Sequence, residues 1–135
     1  MDPTLIEMSK TIQTTGKMLI NLKSNLNGTR FKLDSELNIY RIIIETINNI
    51  LKHSHTEEVQ LQLNQSKKDL SISFEYIGLG LNEGQVQLLL RQEKGSGLKS
   101  IQSRINHLRG KINYLADVRG NTAILIQIPL HEITN

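Results

Sequence analysis

The sequence predicts an α+β fold, a two-layer α/β sandwich, on three observations. The 135-residue chain is long enough to build one sizeable hydrophobic core. Apolar residues recur at helical spacing in some segments and alternate with polar residues in others. The alternating segments come in neighbouring pairs with helical segments between the pairs, which favours one layer of helices packed on one sheet.

The N-terminal segment predicts a helix over residues 4–25, because its apolar residues are mostly three, four or seven positions apart. Asn27-Gly28 is expected to end this helix, since glycine readily takes the left-handed conformation after a helix. Residues 30–33 alternate in polarity and predict a short strand. We therefore assign residues 1–33 as an N-terminal helix and lead-in strand, and residues 34–135 as the core of the same single domain.

The second predicted helix runs from Ser35 to His53, with Asp34-Ser35 as its N-cap. Five apolar residues form its buried stripe at helical spacing: Tyr40, Ile43, Ile44, Ile47 and Leu51. Glu45, Asn49 and His53 are four residues apart, so they form one row on the opposite face.

Two short alternating segments follow and predict a hairpin. Val59 to Leu63 and Leu70 to Phe74 alternate apolar and polar residues, and the polar segment Gln65 to Asp69 joins them as a turn. Asn82 is then placed to cap a short helix that ends at Leu90.

The C-terminal third predicts a helix and two strands. Leu98, Ile101, Ile105 and Leu108 have helical spacing, and Gly110 is expected to close that helix. Two strands follow, separated by a Gly120-Asn121 turn: Lys111 to Leu115 and Ala123 to Ile128.

Composition excludes several classes of function. Cys is absent, which rules out disulfides, cysteine-ligated zinc and a thiol nucleophile. The net charge of +3 is small and the basic residues are scattered, so we expect no nucleic-acid binding. No apolar segment approaches the roughly 20 residues that span a bilayer. The first residues are acidic rather than basic, unlike a signal peptide. The expected location is cytoplasmic, with no membrane contact by this domain.

The helical row of Glu45, Asn49 and His53, together with Lys52, could serve a magnesium phosphate ligand. Mg²⁺ prefers oxygen ligands and keeps several waters, so one Asn oxygen plus phosphate oxygens can hold it. Glu45 could order or deprotonate a bound water, and Lys52 could meet a phosphate as a point charge. The alternative is a solvated helical face without a binding role.

Two glycine pairs add weaker signals. Gly78 and Gly80 follow a predicted strand, where paired glycines allow a ligand to approach the backbone closely. Gly95 and Gly97 precede Leu98 at the start of a helix, where free backbone N–H groups bind phosphate. The alternatives are an ordinary turn and a flexible loop.

The order of these motifs resembles the ATP-binding catalytic domain of bacterial two-component sensor histidine kinases. It is most similar to the branch with the DesK, NarX and LytS-type sensors, in the wider group that contains gyrase, Hsp90 and MutL. Residues 40–53 resemble the family's N box, residues 74–81 lie where its G1 box belongs, and residues 95–104 resemble its G2 box. Residues 108–112 and 120–130 match its closing strands.

The resemblance implies a fold, a function and partners. The fold would be a mixed, mostly antiparallel sheet covered on one face by helices. The domain would bind ATP and Mg²⁺ and present the γ-phosphate to a His on a separate dimerisation domain. A response regulator would act downstream, and the parent protein could be anchored in a membrane. None of the chain's own His residues lies in the N-terminal helical segment, so none is a good phosphoacceptor.

The resemblance also implies residue roles on the phosphate side. Asn49 would be the Mg²⁺ ligand, with Glu45 as the polar or basic group beside the metal. Lys52 and His53 would lie near the phosphates, under a lid formed by about residues 82–96.

The resemblance also implies which residues would surround the adenine and the ribose, and which backbone groups would bind phosphate. The glycines Gly78 and Gly80 would make room for adenine and ribose, and Thr122 would lie beneath the adenine. The implied phosphate binders are Gly95, Gly97 and the amide of Leu98, and Tyr76 lies at the adenine-reading position.

Departures from the family pattern favour a second interpretation. Tyr76 stands where the family has the Asp that accepts a hydrogen bond from the adenine amino group, and Ile77 replaces the usual Asn. The closing glycine motif is one residue shorter, at residues 120–122. The alternative is therefore a degenerate pseudo-ATPase domain that acts as a protein-interaction module. A third alternative is a stand-alone serine kinase of the anti-sigma-factor type, which shares the fold.

Overall fold

The computed structural model describes residues 19–26, 30–54, 56–78, 80, 83–91, 97–117 and 119–134, with His53 described by its backbone only. These residues form five strands and four helices. In chain order the elements are β1 (Leu19–Ser24), α1 (Leu33–His53), β2 (Glu58–Gln65), β3 (Asp69–Ile77), α2 (Glu83–Leu90), α3 (Gly97–His107), β4 (Lys111–Ala116), β5 (Asn121–Pro129) and α4 (Leu130–Ile133).

One mixed sheet has the strand order β1-β2-β3-β5-β4. The β1–β2 pair is parallel, and the other three pairs are antiparallel. Strands β2 and β3 alternate strictly, so Leu61, Leu63, Leu70 and Ile72 are buried while their chain neighbours are more exposed. The α+β fold with a mostly antiparallel sheet is therefore confirmed.

Helix α1 supplies the largest helical contribution to the core, but its buried face differs from the predicted stripe. Ile43 and Ile47 are buried as expected, whereas Tyr40, Ile44 and Leu51 are only partly buried. The missing core residues are Ile39, Ile42 and Ile50. Because α1 packs on the sheet with one side and against α3 with the other, its stripe is wider than the sequence spacing indicated.

The start of α1 also differs from the expectation. The helix begins at Leu33 with Lys32 as its N-cap, and no side chain caps it, so the predicted Asp34-Ser35 cap is wrong. Asp34 lies in the first turn, where a negative charge is favourable near the positive end of the helix dipole.

The predicted helix over residues 4–25 is wrong for residues 19–24, which form β1. Ile20 is buried at 3% exposure, and the strand pairs in parallel with β2 from Leu19 beside Glu58 to Ser24 beside Leu63. The three-residue spacing of Leu19 and Leu22 indicated a helix, but pairing with the exposed edge of β2 decides the structure. Residues 4–18 and the expected stop at Asn27-Gly28 lie outside the described residues.

The short strand expected at residues 30–33 is reduced to one bridge between Phe31 and Thr134. The helix begins too early for a longer strand to form. The partner residue follows α4, a short helix after Pro129 that the sequence reasoning did not predict.

Helix α3 ends at His107, and the left-handed residue that closes it lies one position before the expected Gly110. Arg109 takes the left-handed conformation, with φ 56°. Its N–H donates to the Asn106 carbonyl at 3.0 Å, and the Gly110 N–H donates to the Ile105 carbonyl at 2.9 Å. This pair of bonds is a Schellman motif. Gly110 is needed for space instead, because a Cβ there would lie 2.8 Å from the Gln127 carbonyl oxygen.

In the described part of the chain, no helix is both long enough and apolar enough to cross a membrane.

Candidate functional site

A pocket of about 430 Å³ lies between the sheet and the three longer helices. Ligand sites commonly range from about 300 to 1,000 Å³, so its size suits a small molecule. The described residues that line it are Thr46, Asn49, Ile50, Ser54, Tyr76, Gly80, Gln85, Leu89, Leu98, Ile101, Tyr114, Thr122 and Ile124.

The sheet wall of the pocket is built at the end of β3 and the start of β5. Tyr76 pairs with Thr122 across these strands, and the Thr122 hydroxyl donates a hydrogen bond to the Gly78 carbonyl at 3.1 Å. A methyl group at Gly80 would overlap the Thr122 side chain. A Cβ at Gly78 would lie 2.5 Å from the Ser54 hydroxyl oxygen. Both glycines are therefore required by close approach of neighbouring side chains.

Tyr76 forms part of this wall and leaves the pocket open. Its side chain is 9% exposed, and burial raises the pKa of its hydroxyl to about 12. The ring occupies one side of the pocket while the cavity remains beside it.

The helical wall brings Asn49 of α1 to the start of α3. A Cβ at Gly97 would lie 3.1 Å from the Asn49 side-chain oxygen and 3.3 Å from its nitrogen, so glycine lets the two helices approach here. Leu98, the next residue of α3, also lines the pocket. The amide of Asn49 thus faces the helix N-terminus, where backbone N–H groups favour anions.

A polar cluster beside Asn49 joins α1 and α3. Arg104 Nε lies 3.6 Å from Glu45 Oε1, and an Arg104 guanidinium nitrogen donates to the Asn38 side-chain oxygen at 3.1 Å. Glu45 Oε2, Arg104 Nε and Asn49 Nδ2 are buried without a hydrogen-bond partner among the described residues. Buried polar atoms usually have partners, so these three atoms are a feature of a site rather than of a plain core.

Helix α2 closes the pocket on the side of β4. The Glu83 carboxylate accepts a hydrogen bond from the Tyr114 backbone N–H at 2.9 Å, which fixes the start of α2 to the strand. Gln85 and Leu89 of this helix line the pocket. Burial, and the negative charge of Glu83, raise the pKa of the Tyr114 hydroxyl.

The structure brings together many of the residues singled out from the sequence. Asn49, Tyr76, Gly80, Leu98 and Thr122 line one pocket. Next to that lining are two glycines and the ion-paired carboxylate: Gly78, Gly97 and Glu45.

Of three further residues proposed on the phosphate side, the structure describes the side chain of Lys52 alone. Lys52 is exposed on α1 and does not line the pocket. Gly95 and the side chain of His53 lie outside the described residues, as do residues 92–96 of the expected lid.

Sequence reasoning missed Ser54, Gln85, Leu89 and Tyr114. Tyr114 could have been found from the alternation of β4, in which it is buried between two exposed neighbours. In the structure it pairs with Ile124 of β5. Ser54 and Gln85 had none, since their roles come from packing between distant segments.

The donor groups fit a magnesium ion that is completed by phosphate. No group of three His, Cys, Asp or Glu side chains suited to a metal occurs among the residues that the structure describes. Asn49 and the unpartnered Oε2 of Glu45 are oxygen donors one helical turn apart. Such a sparse set suits Mg²⁺, which commonly keeps waters and takes substrate oxygens as ligands.

A family model described as "Histidine kinase-, DNA gyrase B-, and HSP90-like ATPase" matches residues 34–132. The chain belongs to this ATPase family. The match covers the pocket and every element from the first turn of α1 onward, and the resemblance found in the sequence is confirmed.

Sequence relatives of this ATPase domain are sensor histidine kinases. The histidine-protein kinase/phosphatase DegS of Brevibacillus brevis is 24% identical over 128 residues, which cover 95% of this chain and 32% of that protein. The oxygen sensor histidine kinase NreB of Staphylococcus carnosus is 26% identical over 115 residues, or 84% of this chain and 31% of the relative. The chain therefore spans about a third of the length of these two relatives.

Solved histidine kinases share the fold. The kinase AdeS of Acinetobacter baumannii superimposes with a TM-score of 0.77 at 17% identity, covering 96% of this chain and 64% of the other. A histidine kinase domain from Erythrobacter litoralis gives a TM-score of 0.75 at 20% identity, covering 95% of this chain and 60% of that one.

Proposed function

We propose that this ATPase domain binds Mg²⁺-ATP in the pocket between α1, α2, α3 and the sheet, and presents the γ-phosphate to a His of a separate dimerisation domain. The observation that supports this proposal is that residues of the helical wall and of the sheet wall line one and the same pocket. It joins Asn49, beside the start of α3, to Gly80 and Thr122 at the sheet wall. A ligand with an anionic end and a flat uncharged end suits these two walls.

The residues of the chain would work mainly by positioning. Asn49 and Glu45 would hold the metal, which when bound would neutralise phosphate charge. The first backbone N–H groups of α3, including that of Leu98, would donate hydrogen bonds to phosphate oxygens. Apolar residues Ile50, Leu89 and Ile101 would exclude water from the base. Phosphoryl transfer needs little covalent chemistry from the protein beyond such placement.

The partner set follows from the same proposal. The phosphoacceptor would belong to a dimerisation domain of the same parent kinase, and a response regulator would receive the phosphoryl group. The sensor histidine kinases among the relatives support this assignment, since the two described above are each about three times as long as this chain and so have room for further domains.

Titration calorimetry with ATP and ADP, with and without Mg²⁺, tests the proposal. The unaltered chain should bind both nucleotides more tightly with Mg²⁺. Asn49→Ala should remove the Mg²⁺-dependent gain, about tenfold in affinity or ~1.4 kcal/mol. Asn48→Ala is the matched control, because Asn48 is the adjacent, exposed residue of the same type. Equal losses in both variants, or no binding at all, would contradict the proposal.

Tyr76 favours a second candidate, a pseudo-ATPase domain that works by docking to other proteins. An uncharged ring stands where the family has a carboxylate, and it is buried in the sheet wall. If the unaltered chain binds no nucleotide and Tyr76→Asp does, this second function is the correct one. Micromolar, Mg²⁺-dependent binding by the unaltered chain would exclude it.

A further inference from the structure

Helix α1 carries a second apolar row, separate from the face that it buries in the core. Leu33 and Leu37 are 73% and 52% exposed, and Tyr40 and Ile44 are only partly buried. Successive members are four, three and four residues apart, which is the heptad spacing of helices that pack against another helix. Single exposed leucines are ordinary, whereas an apolar row of about three helical turns is typical of a contact surface. We call these four residues the outer row.

The outer row is self-complementary. Its spacing of four, three and four residues reads the same in both directions, as the pairing of two identical antiparallel helices requires. A two-fold axis between residues 38 and 39 sets Leu33 opposite Ile44 and Leu37 opposite Tyr40. Each of these pairs occurs twice, so two copies form four apolar layers. A second copy of this chain is therefore a partner that offers an apolar side chain at every layer of the row.

The charges beside the outer row also fit a second copy. Asp34 and Arg41 are exposed, and each directly follows a residue of the row. They are seven residues apart, or about two helical turns, so they lie along the same flank of the row. Antiparallel pairing brings Asp34 of one copy beside Arg41 of the other, and the two-fold axis repeats this pair of opposite charges. Charged residues at such flanking positions determine partner choice and orientation in paired helices.

The opposite flank of the row is closed by the domain itself. Ile43 lies there, one residue before Ile44, and is fully buried in the core. Parallel pairing would set this closed flank of one helix against the open flank of the other, whereas antiparallel pairing brings the two open flanks together. The structure therefore favours the antiparallel arrangement. Asn49 faces α3 on a different side of α1, so the pocket remains open in such a pair.

We propose that the outer row is a self-association surface, through which two copies of this chain form an antiparallel, two-fold symmetric dimer. Four residues of one helix provide less than the roughly 800 Å² per partner of a stable interface, so the dimer is weak. We expect a dissociation constant of about 10–500 μM. The chain is then a monomer at low micromolar concentration and a dimer where two copies are held close together. The inference does not depend on nucleotide binding.

Sedimentation equilibrium of the full chain between about 5 and 500 μM tests the proposal and should show a monomer–dimer equilibrium. Leu37→Ser removes a leucine from both central layers, so it should raise the dissociation constant at least about tenfold. Leu88→Ser is the matched control, because Leu88 is also an exposed leucine on a helix, at 62% exposure, and lies outside the row. It should leave the dissociation constant unchanged. Thermal denaturation at low micromolar concentration checks that both variants fold.

Charge reversal tests the antiparallel geometry. Asp34→Lys sets a second cation beside Arg41 of the other copy, so it should weaken the dimer about fivefold or more. Adding Arg41→Glu to the same chain recreates an opposite-charge pair and should return the dissociation constant to within about twofold of the original. The double variant keeps the altered first turn of α1, so recovery would not come from helix stability.

Three results would overturn the inference. One is a chain that stays monomeric at about 500 μM, which would leave the outer row to a helix of another protein. Another is a dimer that Leu37→Ser and Leu88→Ser weaken equally. The third is a double charge variant that recovers nothing, which would overturn the antiparallel pairing. Nucleotide titrations of Leu37→Ser should match those of the unaltered chain, so failure of this inference leaves the proposed function standing.

Discussion

The space around Gly80 leaves no room for a side chain at this position. Any side chain at Gly80 would overlap Thr122, which is itself 4% exposed and tied to the Gly78 carbonyl. Neither side can yield easily, because Thr122 lies in a central strand between β3 and β4.

We therefore expect Gly80→Ala to destabilise the fold by about 1–3 kcal/mol, the usual cost of overpacking. Urea denaturation measures this change. Gly84→Ala, at an exposed site in α2, is the control and should be neutral or slightly stabilising. The double variant with Thr122→Ala should recover part of the loss; additive effects would show that the two residues do not conflict.

Tyr76 gives the domain an alkaline pH dependence. Its folded-state pKa is raised by burial to about 12, against about 10 in an unfolded chain. The unfolded chain therefore loses this proton first, and stability falls as pH rises from about 10 to 12, by at most ~1.4 kcal/mol per pH unit. Tyr76→Phe should make the fall shallower in urea titrations at stepwise pH. Parallel curves for the two proteins would contradict the expectation.

At the scale of elements, the junction of α1 and α3 combines packing with charge. Glu45, Arg104 and Asn38 connect the helices at one side of the pocket, and the ion-paired side chains are about a quarter exposed. We expect the contribution of this partly buried ion pair to stability to be larger than that of an exposed pair and smaller than that of a fully buried pair.

Arg104→Met should therefore cost about 1–2 kcal/mol, because it leaves the Glu45 carboxylate without its cation. Arg41→Met, at an exposed position of α1, is the control and should change stability by less than about 0.5 kcal/mol. Thermal denaturation of both variants checks this. A loss in Arg104→Met no larger than that of the control would show that the ion pair is not stabilising.

The end of α3 offers a stabilising substitution. Arg109 holds the left-handed position of the Schellman motif, where a side chain costs about 1 kcal/mol and glycine costs little. The contact of Arg109 with Glu132, at 3.5 Å, is mostly exposed and contributes little. Arg109→Gly should thus raise the midpoint of urea denaturation, and an unchanged or lower midpoint would contradict this.

At the scale of the whole molecule, the sequence predicts local elements better than their assembly. The alternation of Val59 to Leu63 and Leu70 to Phe74 has a period of two, which only a half-buried strand satisfies, and the hairpin follows. The residues at 19–24 become a strand because β2 offers an open edge far along the chain. No local signal reports such a partner.

In the candidate site, too, some residues could be predicted from local sequence motifs and others only from tertiary contacts. Asn49, Gly80, Leu98 and Thr122 carry motif signals and do line one pocket. Arg104 and Tyr114 enter through tertiary contacts, with Glu45 and with the Glu83 carboxylate. Tyr76 was flagged by its departure from the family pattern, but only the packing shows that its ring leaves a cavity beside it.

The first strand is expected to protect the sheet. Without residues 1–24, the backbone of β2 becomes an open edge, and such edges pair with other molecules. This deletion should lower stability by at least about 2 kcal/mol, from the lost burial of Ile20, and should promote self-association. A deletion of residues 1–18, which keeps β1, is the comparison in analytical ultracentrifugation. Equal behaviour of the two deletions would contradict the role given to β1.

The parallel pairing of β1 with β2 also sets an order of events during synthesis. Leu19 pairs with Glu58, and the whole of α1 lies between these two residues in the chain. The β1–β2 pairing can therefore form only after Glu58 has been synthesised. The helix and the β2–β3 hairpin can form from nearby residues within microseconds, whereas contacts between distant residues form slowly. Strand β1, which is synthesised before β2, is therefore expected to join the sheet only after β2 and β3 have folded.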